Sequence, residues 1–82
     1  MNRYVATFHT HFAALVTHRT MIGAGVTSTL APVPRALSSS CGTCVSYEAE
    51  EPCLQLLDAD MEAVYSVLGE DDYSLIKRGE NE

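Results

Sequence analysis

Apolar and polar residues alternate along several stretches of the chain, which is the pattern of β-strands that bury one face. The alternation predicts strands over residues 4–8, 26–31, 43–47 and 61–68, and a short additional strand over 73–77. Glycines, prolines and acidic residues separate these stretches, as is typical of turns and loops. Two prolines end the second strand, because proline lacks the amide that a strand ladder requires.

Two other stretches predict helices. Residues 11–22 follow Thr10, a suitable N-cap, and the helix ends at Gly23-Ala24-Gly25. Pro52 stands at the favoured first position of a second, shorter helix that runs to about residue 59. The predicted shared face of the first helix comprises Ala14, Leu15, His18, Met21 and Ile22.

The order strand, helix, strand, strand, helix, strand is that of the ferredoxin-like, split βαβ arrangement. It predicts an α+β fold (βαββαβ) in which an antiparallel sheet carries two helices on one face. Residues 1–78 are predicted to form this single domain, and residues 79–82 are predicted to form a flexible tail.

The composition limits the class of protein. A chain of 82 residues, 46 % of them apolar, forms one domain with a small core and is too apolar to be disordered. No apolar run approaches the roughly 18 residues of a membrane span, and the N-terminus lacks the pattern of a signal peptide. We therefore expect a cytoplasmic protein with reduced thiols and no membrane partner. Nucleic acid is not an expected partner either, because no basic stripe with interleaved aromatic residues is present.

Charge is distributed unevenly along the chain. Residues 1–47 contain three arginines and no acidic residue, so they carry +3, with histidines neutral. Residues 48–82 contain all eleven acidic residues against Lys77 and Arg78, so they carry −9. The positive part contains Cys41, where positive charge favours an anionic sulfur and anionic ligands. The alternative is that the acidic residues simply form a solvated face.

Residues 33–42, here called the cysteine loop, have a composition that a buried strand or helix does not need. They predict a reactive Cys41 beside an anion-binding site. A guanidinium offers donors in a fixed fork, successive serines offer hydroxyls and backbone amides, and a glycine leaves the sulfur uncrowded. The alternative is a surface loop with capping serines. The predicted anion-binding residues are Arg35, Ser38, Ser39, Ser40 and Gly42.

Cys41 and Cys44 form a C-x-x-C motif, but its context differs from that of thioredoxin-like proteins. There the motif opens a helix, whereas here the following residues 45–47 favour a strand. Cys44 is therefore either a resolving thiol for Cys41 or a residue that packs within the sheet. Cys53 stands apart in an apolar pattern and is predicted to be a small core residue.

The histidines raise the question of a metal site. His11 and His18 are about two helical turns apart, too far to share one ion unaided. His9 and His11 could bind one zinc ion together with Cys41 and Cys44 only if the loop and the strand that carry them come together in the fold. No metal or other cofactor is therefore predicted. His18 is predicted to be a partly buried histidine with a local partner.

At the cysteine loop the sequence resembles the selenium/sulfur carrier protein-like family of small bacterial and archaeal proteins. The resemblance is carried by the run from Val33-Pro34-Arg35 to three serines and Cys41-Gly42. It extends to the opening residues 4–8, the Ala14-Leu15 helix and the Val64-Tyr65 strand. It implies that Cys41 holds sulfur or selenium as a persulfide or selenopersulfide. It also implies protein partners, a donor such as a cysteine desulfurase and an acceptor. Relatives are expected to have an apolar residue at Cys44 and a longer second helix.

Three functions therefore remain open from the sequence. The first is a carrier that uses Cys41 and turns over nothing alone. The second is a dithiol redox or thiol-transfer protein that uses Cys41 and Cys44 and forms a reversible disulfide. The third is a small interaction module, possible as a homodimer, in which the cysteine loop has no chemistry.

Overall fold

A computed structural model describes residues 1–79 of the protein. The predicted flexible tail begins at Gly79, whose amide donates a hydrogen bond to the Glu62 carbonyl at 2.8 Å, and residues 80–82 lie outside the described residues. The elements in chain order are β1 (Asn2–Phe8), α1 (His11–Gly23), β2 (Thr27–Pro32), β3 (Thr43–Ala49), a 3-10 turn (Leu54–Leu56), β4 (Met61–Gly69) and β5 (Asp72–Arg78).

The five strands form one antiparallel sheet in the order β2-β3-β1-β4-β5. Because β1 and β2 both pair antiparallel with β3, they run parallel to each other with β3 between them. This is the split βαβ unit that the sequence predicts. The predicted antiparallel α+β fold is therefore confirmed, and β5 is a full edge strand.

The predicted second helix is wrong, and with it the βαββαβ order: across residues 1–79 the only α-helix is α1. Cys53 has a left-handed backbone with φ of 54°, which a helix does not accommodate. The carbonyl of Pro52, the natural acceptor for Leu56 in an α-helix, instead accepts a hydrogen bond from the Tyr47 hydroxyl. The Leu56 amide then donates to the Cys53 carbonyl at 3.0 Å, which produces only a 3-10 turn.

Helix α1 packs on one face of the sheet through part of the predicted face, since Ala14 and Met21 are buried as predicted. Thr10 is the N-cap, and its side chain accepts the Ala13 amide at 3.1 Å, as predicted. The buried residues of α1 are Ala13, Ala14, Thr17 and Met21. Ile22, predicted to face inward, is exposed. The Thr17 hydroxyl accepts the Asp58 amide at 2.9 Å, so a polar residue is satisfied inside the packed face.

The core between α1 and the sheet is built from strand residues on a single face. Its strand members are Tyr4, Ala6, Phe8, Val45, Tyr47, Ala49, Met61 and Val64. Cys53 is half-buried and packs against this cluster rather than belonging to it fully.

The opposite face of the sheet is also buried near the cysteine loop. Cys44, Thr7 and Ala63 lie side by side on β3, β1 and β4 and are 1 %, 0 % and 2 % exposed. No helix of residues 1–79 packs there, since α1 and the 3-10 turn lie against the other face. Ser38 of the cysteine loop lines a cavity together with Thr7 and Ala63. The loop thus lies over this face.

Candidate functional site

The cysteine loop connects β2 to β3 and is closed at its base by backbone hydrogen bonding. The Val33 amide donates to the Gly42 carbonyl at 3.1 Å. A turn follows Pro34, where the Leu37 amide donates to the Pro34 carbonyl at 3.0 Å. The loop therefore has a fixed start and end. Residues 38–41 lie between the turn and the closing residue Gly42.

Two serines fix the segment that precedes Cys41. The Ser39 hydroxyl donates to the Phe8 carbonyl at 3.0 Å, at the end of β1. The Ser40 amide donates to Glu62 Oε1 at 3.1 Å, and the Ser40 hydroxyl donates to Glu62 Oε2 at 2.7 Å. The two residues before Cys41 are thus bound to the end of β1 and the start of β4.

Of the predicted anion-binding residues, Ser40 already binds an anion within the protein, the carboxylate of Glu62. The hydroxyls of Ser39 and Ser40 are committed within the protein, and among residues 1–79 only Ser38 of the three serines has no hydrogen-bond partner for its hydroxyl. The fold also brings the two oppositely charged parts of the chain together here. Glu62, from the negative part, lies against the cysteine loop, which belongs to the positive part.

Burial alone would raise the pKa of Glu62. The side-chain and backbone hydrogen bonds from Ser40, the Ser39 hydroxyl and the nearby His9 together outweigh burial, so the pKa of Glu62 lies below its usual value. Glu62 is therefore ionised at neutral pH.

The backbone of β3 contacts the Cys41 sulfur. The Thr43 amide donates to Cys41 Sγ at 3.4 Å, and the Thr43 carbonyl oxygen lies 3.4 Å from the same sulfur. The thiol can thus donate a proton to the carbonyl, and an anionic sulfur can accept the amide hydrogen. Gly42 permits this geometry, because its φ of 75° is a left-handed conformation that other residues rarely adopt. Cys41 is partly exposed.

Cys44 lies inside β3, as predicted, and is 1 % exposed. Its Sγ donates to the Pro32 carbonyl at 3.6 Å. Burial, followed by the nearby Cys41 sulfur, raises the pKa of the Cys44 thiol from 9.0 to about 11. All three cysteines are free thiols. These properties favour packing rather than a resolving role for Cys44, because a resolving thiol must ionise and approach its partner.

We expect the thiols of the native protein to react with iodoacetamide in the order Cys41, Cys53, Cys44. At pH 8 about one Cys44 side chain in a thousand would be ionised at a pKa of about 11. Cys53 Sγ lies 3.3 Å from the Glu51 carbonyl, whereas Cys41 Sγ has a backbone amide beside it as well as a carbonyl. Mass spectrometry of peptides after timed alkylation, with denatured protein as the control, measures the order. Faster labelling of Cys53 than of Cys41 would contradict the assignment of the reactive thiol.

His9, in the β1–α1 connection, and His11, the first residue of α1, contact residues beside the cysteine loop. His9 Nδ1 is 3.4 Å from Glu62 Oε2, and His11 Nδ1 is 3.2 Å from Thr43 Oγ1. Residues 1–79 contain no group of three or more histidine, cysteine or acidic side chains arranged to hold a metal ion. His18 is partly buried and 2.6 Å from Ser28 Oγ, which confirms its predicted local partner.

Arg35 is exposed at the turn after Pro34. Within the part of the chain that the structure describes, its guanidinium makes no hydrogen bond or ion pair. It is therefore the cation of the cysteine loop that an external anion can reach, and its role in binding one stays a prediction.

Sequence reasoning missed Glu62. Alternation along residues 61–68 gave no reason to single it out. In the structure Thr7 pairs with Ala63 while Phe8 pairs with Met61, so Glu62 is the extra residue of a β-bulge between β1 and β4. A bulge redirects a side chain and is common next to functional sites. The sequence did offer one indication that Glu62 is special: it is an isolated acidic residue near the start of a strand that is predicted to be buried.

Fold and site together define a small α+β thiol protein whose partly exposed cysteine lies on a loop fixed to the sheet. Residues 3–71 match the family model described as Putative Se/S carrier protein-like. The chain belongs to this family, which confirms the resemblance seen at the cysteine loop. No curated protein and no solved structure matches the chain.

In the segment 1–79, no helix is long and apolar enough to cross a membrane.

Proposed function

We propose that the protein carries sulfur or selenium on Cys41, as a persulfide or selenopersulfide, between a donor protein and an acceptor protein. The observation that carries this proposal is the placement of Cys41. It is partly exposed, follows two serines fixed to the sheet, and has its sulfur next to a backbone amide. Membership of the Se/S carrier family supports the same cargo.

The transfer step needs no cofactor and no net oxidation. The Cys41 thiolate attacks the outer sulfur of a donor persulfide, R–S–SH. The donor S–S bond breaks, a new S–S bond forms on Cys41, and the donor leaves as R–S⁻. A matching attack by an acceptor thiolate on the outer sulfur of Cys41 returns the Cys41 thiolate. A donor of the cysteine desulfurase type supplies such a persulfide.

The local geometry suits the anionic product. The Thr43 amide can donate to the inner sulfur, and Gly42 places no side chain beside it. Arg35 is available for the outer sulfur or for an anionic group of the partner. Intact mass after incubation with a persulfide donor tests the proposal directly, because wild type should gain one sulfur atom per chain.

Replacing Arg35 by alanine should weaken retention of the persulfide without affecting the fold. A charge-assisted hydrogen bond of this kind contributes about 1–2 kcal/mol, so we expect roughly a five- to thirtyfold faster loss of the adduct. The measurement is the decay of the adduct mass with time. Arg19→Ala, on the exposed side of α1, removes the same charge elsewhere and should change nothing. Equal adduct lifetimes in wild type and Arg35→Ala would show that Arg35 is a surface residue without a role in retaining the persulfide.

A dithiol function remains the second candidate because the two sulfurs of the C-x-x-C motif interact. The Cys41 sulfur contributes to the raised pKa of Cys44, so the pair is close enough to influence each other. The burial of Cys44 opposes this function, since the buried thiol ionises only near pH 11. The carrier function is therefore the one that the site favours.

A further inference from the structure

Among the acidic residues within 1–79, Glu62 is the one that hydrogen bonds to the cysteine loop. Both of its carboxylate oxygens accept hydrogen bonds from one loop residue, Ser40, through the amide at 3.1 Å and the hydroxyl at 2.7 Å. A carboxylate that accepts two donors of one residue fixes both the position and the orientation of that residue. Ser40 directly precedes Cys41, so the backbone that enters Cys41 is fixed by this contact.

The β-bulge explains why Glu62 reaches the loop. Met61 packs in the core opposite Phe8, and Ala63 faces the other side of the sheet opposite Thr7. Glu62 is the extra residue between them, and it leaves the regular alternation of β4. Its backbone is held as well, because the Gly79 amide donates to the Glu62 carbonyl at 2.8 Å.

We propose that Glu62 is the positioning residue of the sulfur-carrying loop: its carboxylate holds Ser40 so that Cys41 is presented to the donor persulfide. This role rests on the proposed carrier function of Cys41. Ser39, bound to the Phe8 carbonyl, is the second point of attachment. With both attachments the two residues before Cys41 have little freedom, and the sulfur remains beside the Thr43 amide.

Burial alone would raise the pKa of Glu62, but the hydrogen bonds from Ser40 and Ser39 and the nearby His9 bring it below its usual value. His9 lies 3.4 Å from Glu62 Oε2, and Tyr65 and Arg78 line the same cavity of about 340 Å³ as Glu62. Because the pKa of Glu62 is lowered in the folded protein, its contribution is present above the ordinary glutamate pKa. The contribution is lost only as the pH falls through the lower, folded value.

The contact can be observed in wild type without any substitution. The Ser40 amide resonance in ¹H–¹⁵N NMR spectra should shift with the ionisation of Glu62, with a midpoint below that of an ordinary glutamate. In Glu62→Gln the titration should disappear, and amide hydrogen exchange at Ser40 should be on the order of tenfold faster. An unshifted Ser40 resonance across this range in wild type would overturn the contact.

The functional test measures the rate at which Cys41 acquires sulfur from a persulfide donor, by intact mass at short times. Glu62→Gln keeps the size of the side chain but has no charge and only one accepting oxygen, so the two charge-assisted hydrogen bonds from Ser40 are lost. We expect uptake about tenfold slower than in wild type. Ser40→Ala, in the exposed loop, should slow uptake in the same way. Glu48→Gln, an exposed position on β3, removes one negative charge without touching the loop and is the matched control.

The direction of the change in uptake rate distinguishes a positioning role of Glu62 from an effect of its negative charge. Removing a negative charge near an anionic nucleophile would by itself favour the thiolate and speed uptake, whereas loss of positioning slows it. Uptake by Glu62→Gln at or above the wild-type rate overturns the role of Glu62 while leaving the carrier function intact. Absence of uptake in wild type overturns the carrier function itself, and the role of Glu62 with it.

Discussion

Replacing Cys41 by serine is expected to abolish the mass increase of one sulfur atom that wild type acquires from a persulfide donor. The thiolate is the nucleophile in sulfur transfer, and a serine hydroxyl at the same place does not ionise near neutral pH. Cys41 is also the only thiol on the cysteine loop. The measurement is intact mass after incubation with the donor, followed by peptide mapping of the modified residue. With a selenium donor the same replacement should abolish the corresponding selenium adduct.

The other two cysteines provide the controls for this experiment. Cys53→Ser should retain the adduct, because Cys53 packs against the core on the opposite face of the sheet. Cys44→Ser distinguishes the two chemical functions: an unchanged adduct lifetime agrees with a packing role. A longer lifetime would show that Cys44 attacks Cys41 and expels the sulfur as sulfide, closing a disulfide. Uptake by Cys41→Ser at the wild-type level would refute the carrier role of Cys41.

Replacing Phe8 by alanine is expected to destabilise the protein by about 3–5 kcal/mol, the usual cost of deleting a buried phenylalanine side chain. Phe8 is 0 % exposed and lies on β1, the central strand of the sheet, in contact with the core beneath α1. A chain of this length has a free energy of unfolding of about 4–12 kcal/mol, so the loss is a large part of the total. Urea unfolding followed by circular dichroism measures it.

Phe12 is the matched control for this substitution. It is the other phenylalanine of the chain, lies on α1 and is 72 % exposed. Phe12→Ala should change the free energy of unfolding by no more than about 0.5 kcal/mol. Similar losses in the two variants would contradict the placement of Phe8 in the core and the exposure of Phe12.

Local sequence patterns predicted the elements whose stability is mostly local. Alternation placed all five strands to within a few residues, and Thr10 and the glycines after Met21 marked the ends of α1. These patterns succeed because strand alternation follows from one buried face and helix ends follow from capping chemistry. The start of the loop between β2 and β3 was predicted from local chemistry too, since proline lacks the amide that a strand ladder requires.

The structure differs where those predictions failed. At the predicted second helix, Cys53 has a left-handed backbone and the Pro52 carbonyl accepts a hydrogen bond from the Tyr47 hydroxyl of β3. In α1, the Asp58 amide donates to Thr17 inside the packed face, while Ile22 is exposed. Neither partner is adjacent in sequence, so periodicity alone does not reveal it.

The sequence by itself predicted Cys41 as the candidate reactive residue and determined the antiparallel α+β fold, because a loop with Cys41 between two strands is a local feature and strand alternation is too. Only the tertiary structure decided how that residue is held. Glu62 is more than twenty residues away along the chain, and it reaches Ser40 because β4 pairs with β1 through a bulge. The same pairing of β3 with β1 and β2 buries Cys44, whereas Cys41 is partly exposed. Strand register, which a single sequence leaves open, is the physical reason for both.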